Sequence, residues 1–231
     1  MSEGLRNTLF TIGMIIVVGV ALYFQWRATR RKGAAYAAFA DQRGWTYLHH
    51  DRGVGHQFLG EPFNTMGRDG IGRHVFGGEH RGRQVLVFEY ISLQGPNIAK
   101  GRRHRMDRCT VAALRLATDK PTLQVGPAGW DDKLAGAVGF RDLQLESEEF
   151  NKRFRIKSEN DRFSYDVLHP RMMEWLLADP RARSVPFRFE RGDLVAWQEG
   201  QIDLRKVDWL VDFVCDVVER VPGFLWSSDP T

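Results

Sequence analysis

QVLVFEYIS, residues 84–92, places Val85, Val87 and Glu89 on one face of an extended chain and Leu86, Phe88 and Tyr90 on the other. Both faces are mostly apolar, the pattern of a strand buried in the middle of a sheet. Residues 73–79 precede it as a hairpin partner, joined around 80–83. Residues 108–118 follow as a further strand, with Val111, Ala113, Arg115 and Ala117 alternating against Thr110, Ala112, Leu114 and Leu116. Shorter strands are expected at 45–49 and, after Pro121, at 122–125. Two hairpins are expected, 154–157 with 162–165 around 158–161, and 186–190 with 194–198 across Arg191-Gly192-Asp193.

Helices are marked by their ends. Ser147, followed by Glu148 and Glu149, is suited to cap a single helical turn. Pro170 opens a helix that Asp179-Pro180 closes. Asp203 caps the last helix, where Leu204, Val207, Leu210, Val211, Val214, Val217, Val218 and Val221 recur at helical spacing up to Pro222-Gly223. Residues 131–141 carry no clear pattern. Strands and helices do not alternate as βα units, so the fold class is α+β: a mainly antiparallel β-sheet domain with packed helices. The composition is that of a globular chain, with 43% hydrophobic, 12% aromatic and 27% charged residues.

The N-terminus has a different character. TLFTIGMIIVVGVALYFQW, residues 8–26, holds no charge and is followed by Arg27, Arg30, Arg31 and Lys32. At 1.5 Å per residue such a helix spans about 28 Å, close to the ~30 Å hydrocarbon core of a bilayer. Tyr23 and Trp26 suit the headgroup layer. A transmembrane helix is therefore expected. The basic flank leads us to expect a single-pass protein of the plasma membrane, with the N-terminus outside and the C-terminal domain in the cytoplasm. A cleaved signal peptide would carry its charge before the apolar run and a small-residue cleavage site after it. The expected organisation is an extracytoplasmic 1–7, a transmembrane 8–26 and a juxtamembrane basic helix over 27–44. An α+β domain follows over 45–226, with a candidate subdivision near 128–146, and then a tail over 227–231. Arg27, Arg30, Arg31 and Lys32 are the expected membrane-surface contacts.

Chemistry is sparse. The glycines between 51 and 82 suggest loops and tight turns, and no phosphate-loop spacing occurs among them. His49, His50, His56, His74 and His80 lack metal-ligand spacing. Cys109 and Cys215 are isolated among apolar neighbours and read as small buried hydrophobes in a reducing compartment. The basic loop KGRRHR, residues 100–105, is the best interaction candidate. Its Lys100, Arg102, Arg103 and Arg105 suit an anionic ligand or an acidic partner. The net charge of +4 is modest and does not favour nucleic acid. No catalytic residue, metal or cofactor is implied.

Several segments together carry a resemblance: the anchor with its basic flank, AAYAAFADQRGWTY (34–47), GEPF (60–63), GGEHRGRQVLVFEY (77–90), ESEEFNKRFRI (146–156) and VLHPRMMEWLL (167–177). In these the chain resembles a group of uncharacterised single-pass membrane proteins of actinobacteria, related to a bacterial domain of unknown function. The resemblance implies one integral unit after the anchor and assigns no activity or site residue. The expected function is a membrane-tethered protein- or lipid-interaction or scaffold module, with the membrane, anionic headgroups and other membrane or cytoplasmic proteins as partners. The alternative is a membrane-associated enzyme acting on a lipid or cell-envelope precursor. Its pocket would be sought in the glycine-rich segment or at 150–155.

Overall fold

A computed structural model describes residues 3–58, 60, 62–63, 70–93, 106–129 and 141–226, with the side chains of 3–11, 22, 25–26, 28–31, 92–93 and 106–107 excepted. The chain forms two compact units, Met1–Arg43 and Gly44–Thr231.

The first unit is one helix, α1 (Glu3–Asp41), of 39 residues. At 1.5 Å per residue it is about 58 Å long, so the apolar and basic segments share one uninterrupted helix. Among the described residues no helix is long and apolar enough to cross a membrane. The side chains described without a break run only from Ile12 to Ala21, about half the length a span needs. The remainder of the expected 8–26 span lies partly outside the described residues. Arg43 Nη1 donates to Phe39 O at 3.3 Å, and its guanidinium lies 3.6 Å from the Phe39 ring centroid. Gly44 follows in the left-handed region, φ +66°, the conformation that ends a helix most cheaply at glycine.

The second unit is α+β. Its strands are β1 (Thr46–Asp51), β2 (Gly70–His80), β3 (Arg83–Leu93), β4 (Met106–Pro127), β5 (Arg141–Leu143), β6 (Phe154–Ser158) and β7 (Phe187–Glu199). Its helices are α2 (Glu148–Arg153), α3 (Asp161–Val167), α4 (Pro170–Ala178) and α5 (Leu204–Arg220). All seven strands join one antiparallel sheet in the order β1-β2-β3-β4-β6-β5, with β7 paired to β4.

The β4–β7 pair has an unusual path. Trp197 N donates to Pro186 O at 3.2 Å. Eleven residues of extended strand would hold these groups about 36 Å apart, so β7 doubles back between them. The turn falls at Arg191, φ +51°, beside Gly192, where a hairpin is expected from the sequence. Leu194–Glu199 pairs with Cys109–Leu114, and Phe187–Phe189 with Leu123–Val125. The register shifts between Arg115 and Leu123. β4 therefore wraps around the tip of the β7 hairpin, which lies between its two halves. Pro121, expected to separate two strands, sits at this crossing inside one strand element, where a missing N–H is tolerated.

One face of the sheet is covered by helices. Phe213 of α5 packs on Phe187, and Phe163 of α3 packs edge-on against Phe189. Buried Glu89 on this face accepts from Ile202 N at 3.1 Å. Asp203 Oδ1 caps α5 by accepting from Arg205 N, and Ser147 Oγ caps α2 by accepting from Phe150 N. The expected second arm of a 154–165 hairpin is α3 instead. Asn160 Oδ1 accepts from Phe163 N at 3.0 Å, and Phe163 and Val167, one helical turn apart, are both buried.

The other face is covered by Val54, Phe58 and Phe63, which pack onto Val75, Phe88, Tyr90, Val111, Ala113, Val195 and Trp197. This packing corrects the loop reading for Gly70 and Gly72, which lie in β2 together with Gly77 and Gly78 of the expected 73–79 strand. A Cβ at Gly70 would stand 2.0 Å from the Tyr90 ring, at Gly72 2.1 Å from Val54, and at Gly78 2.1 Å from Trp45. The glycines make room for large side chains laid across the strand. Cys109 and Cys215 are free and buried. Burial pushes the Cys215 thiol up to about 11, which keeps it protonated and unreactive.

An ion-pair cluster ties α5 to two connections. Arg81, at the β2–β3 turn, meets Asp212 at 2.7 Å and Asp216 at 2.9 Å, and Arg181 meets Asp179 at 2.6 Å and Asp216 at 2.5 Å. Burial raises the Asp216 pKa, but hydrogen bonds from Arg181 and Arg81 outweigh it and hold the carboxyl below its ordinary range.

Two outcomes follow from this packing. Gly70→Ala is expected to destabilise the fold by about 1–3 kcal/mol through overpacking against Tyr90, read as a lower midpoint in urea with an unchanged slope. A carboxylate with a depressed folded pKa contributes stability above its unfolded pKa and loses it as pH falls through the folded value. Asp216→Asn is therefore expected to lower thermal stability at pH 7 and to reduce the further loss on acidification below about pH 4.

Candidate functional site

Three surfaces have the chemistry of a site. The first is α1. Every described side chain from Ile12 to Ala21 is exposed. Ile12, Met14, Ile15, Ile16, Val17, Val18, Val20, Tyr23 and Phe24 are between 49% and 68% accessible. Among the described residues of 12–24, apolar side chains thus face outward on all sides of the helix, with no polar stripe. Arg27 and Lys32 are exposed immediately after it, and Arg27 Nη1 donates to Tyr23 Oη at 3.4 Å. The side chains of Arg30 and Arg31 lie outside the described residues.

The expected basic loop, with Lys100, Arg102, Arg103 and Arg105, lies wholly outside the described residues. It joins β3 to β4.

The second surface is a pair of shallow clefts. The larger, about 540 Å³, is lined by Asp119, Lys120, Pro121, Thr122, Glu159, Asn160 and Arg191, where β4 rounds the β7 tip. Its polar groups are largely engaged. Lys120 Nζ donates to Leu225 O, Glu159 accepts from Thr122 N at 3.0 Å, and Asn160 caps α3. The smaller, about 370 Å³, lies where α2 meets β6 and is lined by Pro127, Ala128, Arg153, Phe154, Leu177 and Arg183. The 150–155 segment reaches it. Arg183 was not legible as a site residue, because it comes from the one-turn helix after α4 and only the fold brings it beside Arg153.

The third surface gathers histidines at the β1–β2 edge. Tyr47 Oη lies 2.8 Å from His74 Nδ1 and 3.3 Å from His49 Nδ1, and the His49 and His50 rings are 4.7 Å apart. Adjacent strand positions point to opposite faces, so this closeness differs from the expectation for His49 and His50; it sits opposite a bulge in β2, where His74 has φ +49°. Burial, helped by His49 and by Arg73 and Arg52, lowers the His50 pKa. His56 is exposed and lines neither cleft. Among the described residues no group of three His, Cys, Asp or Glu is placed to hold a metal.

Inside the sheet's non-helical face lies a buried polar cluster. Arg188 Nε donates to Glu190 Oε2 at 2.8 Å and Arg188 Nη1 to Gln124 Oε1 at 3.2 Å, with the guanidinium 5.4 Å from the Trp197 ring. Arg188 and Glu190 are 3% and 2% exposed, which makes the pair a structural element of the core. Its signal in the sequence is FRFE, residues 187–190, whose alternation puts Phe187 and Phe189 on the helix side and both charges on the other.

These features define the class of the domain as an antiparallel α+β unit preceded by an apolar helix. The crystal structure of the mycobacterial trehalose monomycolate transport factor A, TtfA, has a similar fold. Its TM-score is 0.60 at 16% sequence identity, over 82% of this chain and 96% of that one. No protein-family model matches the chain, and no curated protein matches it significantly.

Removing one member of a buried pair leaves the other charge uncompensated. Glu190→Ala is expected to cost about 3–5 kcal/mol, whereas the double replacement Arg188→Met with Glu190→Leu is expected to recover most of that loss in the same denaturation measurement.

Proposed function

We propose that this protein is a membrane-tethered module for lipid handling, without catalysis of its own. α1 is its anchor over residues 8–26, and the domain from Gly44 onward is the working part. The observation that supports it most directly is the ring of exposed apolar side chains on α1. An exposed apolar surface of that extent marks a membrane or protein contact, and a helix apolar on every side suits surrounding lipid better than a one-sided groove. The fold adds support, since a lipid transport factor shares it at low identity. The exposed Arg27 and Lys32, with Arg30 and Arg31 between them in sequence, are suited to anionic headgroups. Their asymmetry favours the N-terminus outside and the domain in the cytoplasm, held at the plasma membrane. Tethering raises the local concentration of the domain toward lipids and membrane proteins.

Fractionation of cells expressing the full chain tests the reading. The protein is expected in the membrane pellet after a carbonate wash. The Ile16→Arg, Val17→Asp double variant is expected to shift into the soluble fraction, because each central charge costs about 2.5–3.5 kcal/mol of insertion. Recovery of the unaltered chain in the soluble fraction overturns the anchor. A reporter active only outside the cytoplasm, fused after Thr231, is expected to be silent; activity there reverses the orientation.

A further inference from the structure

We propose that the cleft between α2, β6 and the turn after α4 binds the phosphate-bearing headgroup of an anionic membrane lipid. The inference rests on the membrane-tethered reading and adds a ligand class to it.

Charge is the first argument. Arg153 and Arg183 both line the cleft, and no carboxylate stands among its described lining residues. Two planar guanidinium groups offer forked donors that match phosphate oxygens. Arg183 is exposed and makes no ion pair or side-chain hydrogen bond among the described residues. Arg153 meets Glu149 at 3.3 Å on the helix surface, where both side chains are about half exposed or more. An exposed pair of this kind contributes little, so the guanidinium can turn to a better anion at small cost.

The floor is the second argument. Phe154, Leu177, Pro127 and Ala128 line the same cleft as the two arginines and supply its apolar surface. A free inorganic phosphate would gain nothing from it. A lipid headgroup carries its phosphate next to glycerol and the first acyl carbons, and places both kinds of surface where the cleft has them. The volume of about 370 Å³ falls in the range of small-ligand sites. Phe154 is rigidly held, being buried and stacked on Phe150 at 4.6 Å, and Arg153 O accepts from Ala128 N at 2.7 Å. The site's floor and one of its arginines are thereby fixed to each other through the main chain.

The test is native mass spectrometry of the full chain released from detergent micelles, titrated with dihexanoylphosphatidylglycerol, dihexanoylphosphatidylcholine or inorganic phosphate. A phosphatidylglycerol adduct that exceeds the phosphatidylcholine adduct is expected. It should weaken at least about tenfold in Arg153→Gln with Arg183→Gln, as expected for loss of two charge-assisted contacts. Arg183→Glu, a change at an exposed position that leaves the fold intact, is expected to abolish the preference alone, and Arg183→Lys to retain part of it. Unchanged phosphatidylglycerol binding in Arg183→Glu overturns the site, as does displacement by equimolar phosphate, which would make free phosphate the ligand. All variants keep α1 and its basic flank, so they are expected to remain in the carbonate-washed membrane pellet. Loss of headgroup preference with retention in that pellet separates this proposal from the tether on which it rests.

Discussion

The wrap of β4 around the β7 hairpin is the constraint from which the domain's architecture follows. β3 pairs with the first part of β4 and β6 with the last part. These two parts are held apart by the two arms of β7, each of which pairs with one of them. A sheet assembled this way has no seam between an N-terminal and a C-terminal half. Residues 187–199 must arrive before the strands at 70–93 and at 141–158 can share one sheet, although they come last of all the strands. Such distant pairings close long loops and are entropically costly before they are rewarded. The buried Arg188–Glu190 pair stands on the hairpin arm beside the second half of β4. Its hydrogen bond to Gln124 fixes register at the point where the β4–β7 register has just shifted.

The same wrap explains what could be read in the sequence. QVLVFEYIS declares a central strand because both of its faces are apolar, and β3 is indeed flanked by β2 and β4. The capped helices were legible because Ser147, Pro170 and Asp203 act locally, through the orphan N–H groups of a first turn. The β7 hairpin was legible because a turn residue pair interrupts two alternating runs. What was not legible depended on partners far away. Pro121 looks like a strand break until β7 supplies the edge on which it is tolerated. The run at 161–167 alternates weakly enough to pass for a strand. It becomes a helix because Asn160 caps it and Phe189, 26 positions later, receives Phe163.

Gly70 and Gly72 differ from the loop reading for a related reason, whereas Gly60 and Gly82 have the positive φ of turns. A glycine-rich segment suggests turns when only local conformation is considered. In β2 the requirement comes from above the strand. Tyr90, Val54 and Trp45 lie against the places where Cβ atoms would be. Nothing within 51–82 identifies the two rings, since Tyr90 and Trp45 both come from outside it. The candidate cleft shows the same limit at a surface. Arg153 and Arg183 are thirty residues apart in sequence, the first in KRFRIK (152–157) and the second in RAR (181–183), and nothing local says that they line one cleft. KGRRHR is the denser run and stands out because charge density along the chain is visible, whereas charge density across a surface is not.

The helix α1 poses an energetic question that the domain does not. Exposing one large aliphatic side chain rather than burying it forgoes about 1.5–3 kcal/mol. Seven such side chains between Ile12 and Val20 are exposed, so the sum left unclaimed is on the order of 10–20 kcal/mol. That is as large as the net stability of an ordinary domain, about 5–15 kcal/mol. A chain that left this surface in water would be driven to cover it. The choice of cover is decided by geometry. A protein partner on one side would leave the opposite side wet, and only a bundle or a bilayer encloses a helix completely. On the membrane-tethered reading proposed above, the charges after residue 26 separate the two covers, because a bundle core gains nothing from a basic collar, whereas a headgroup layer does.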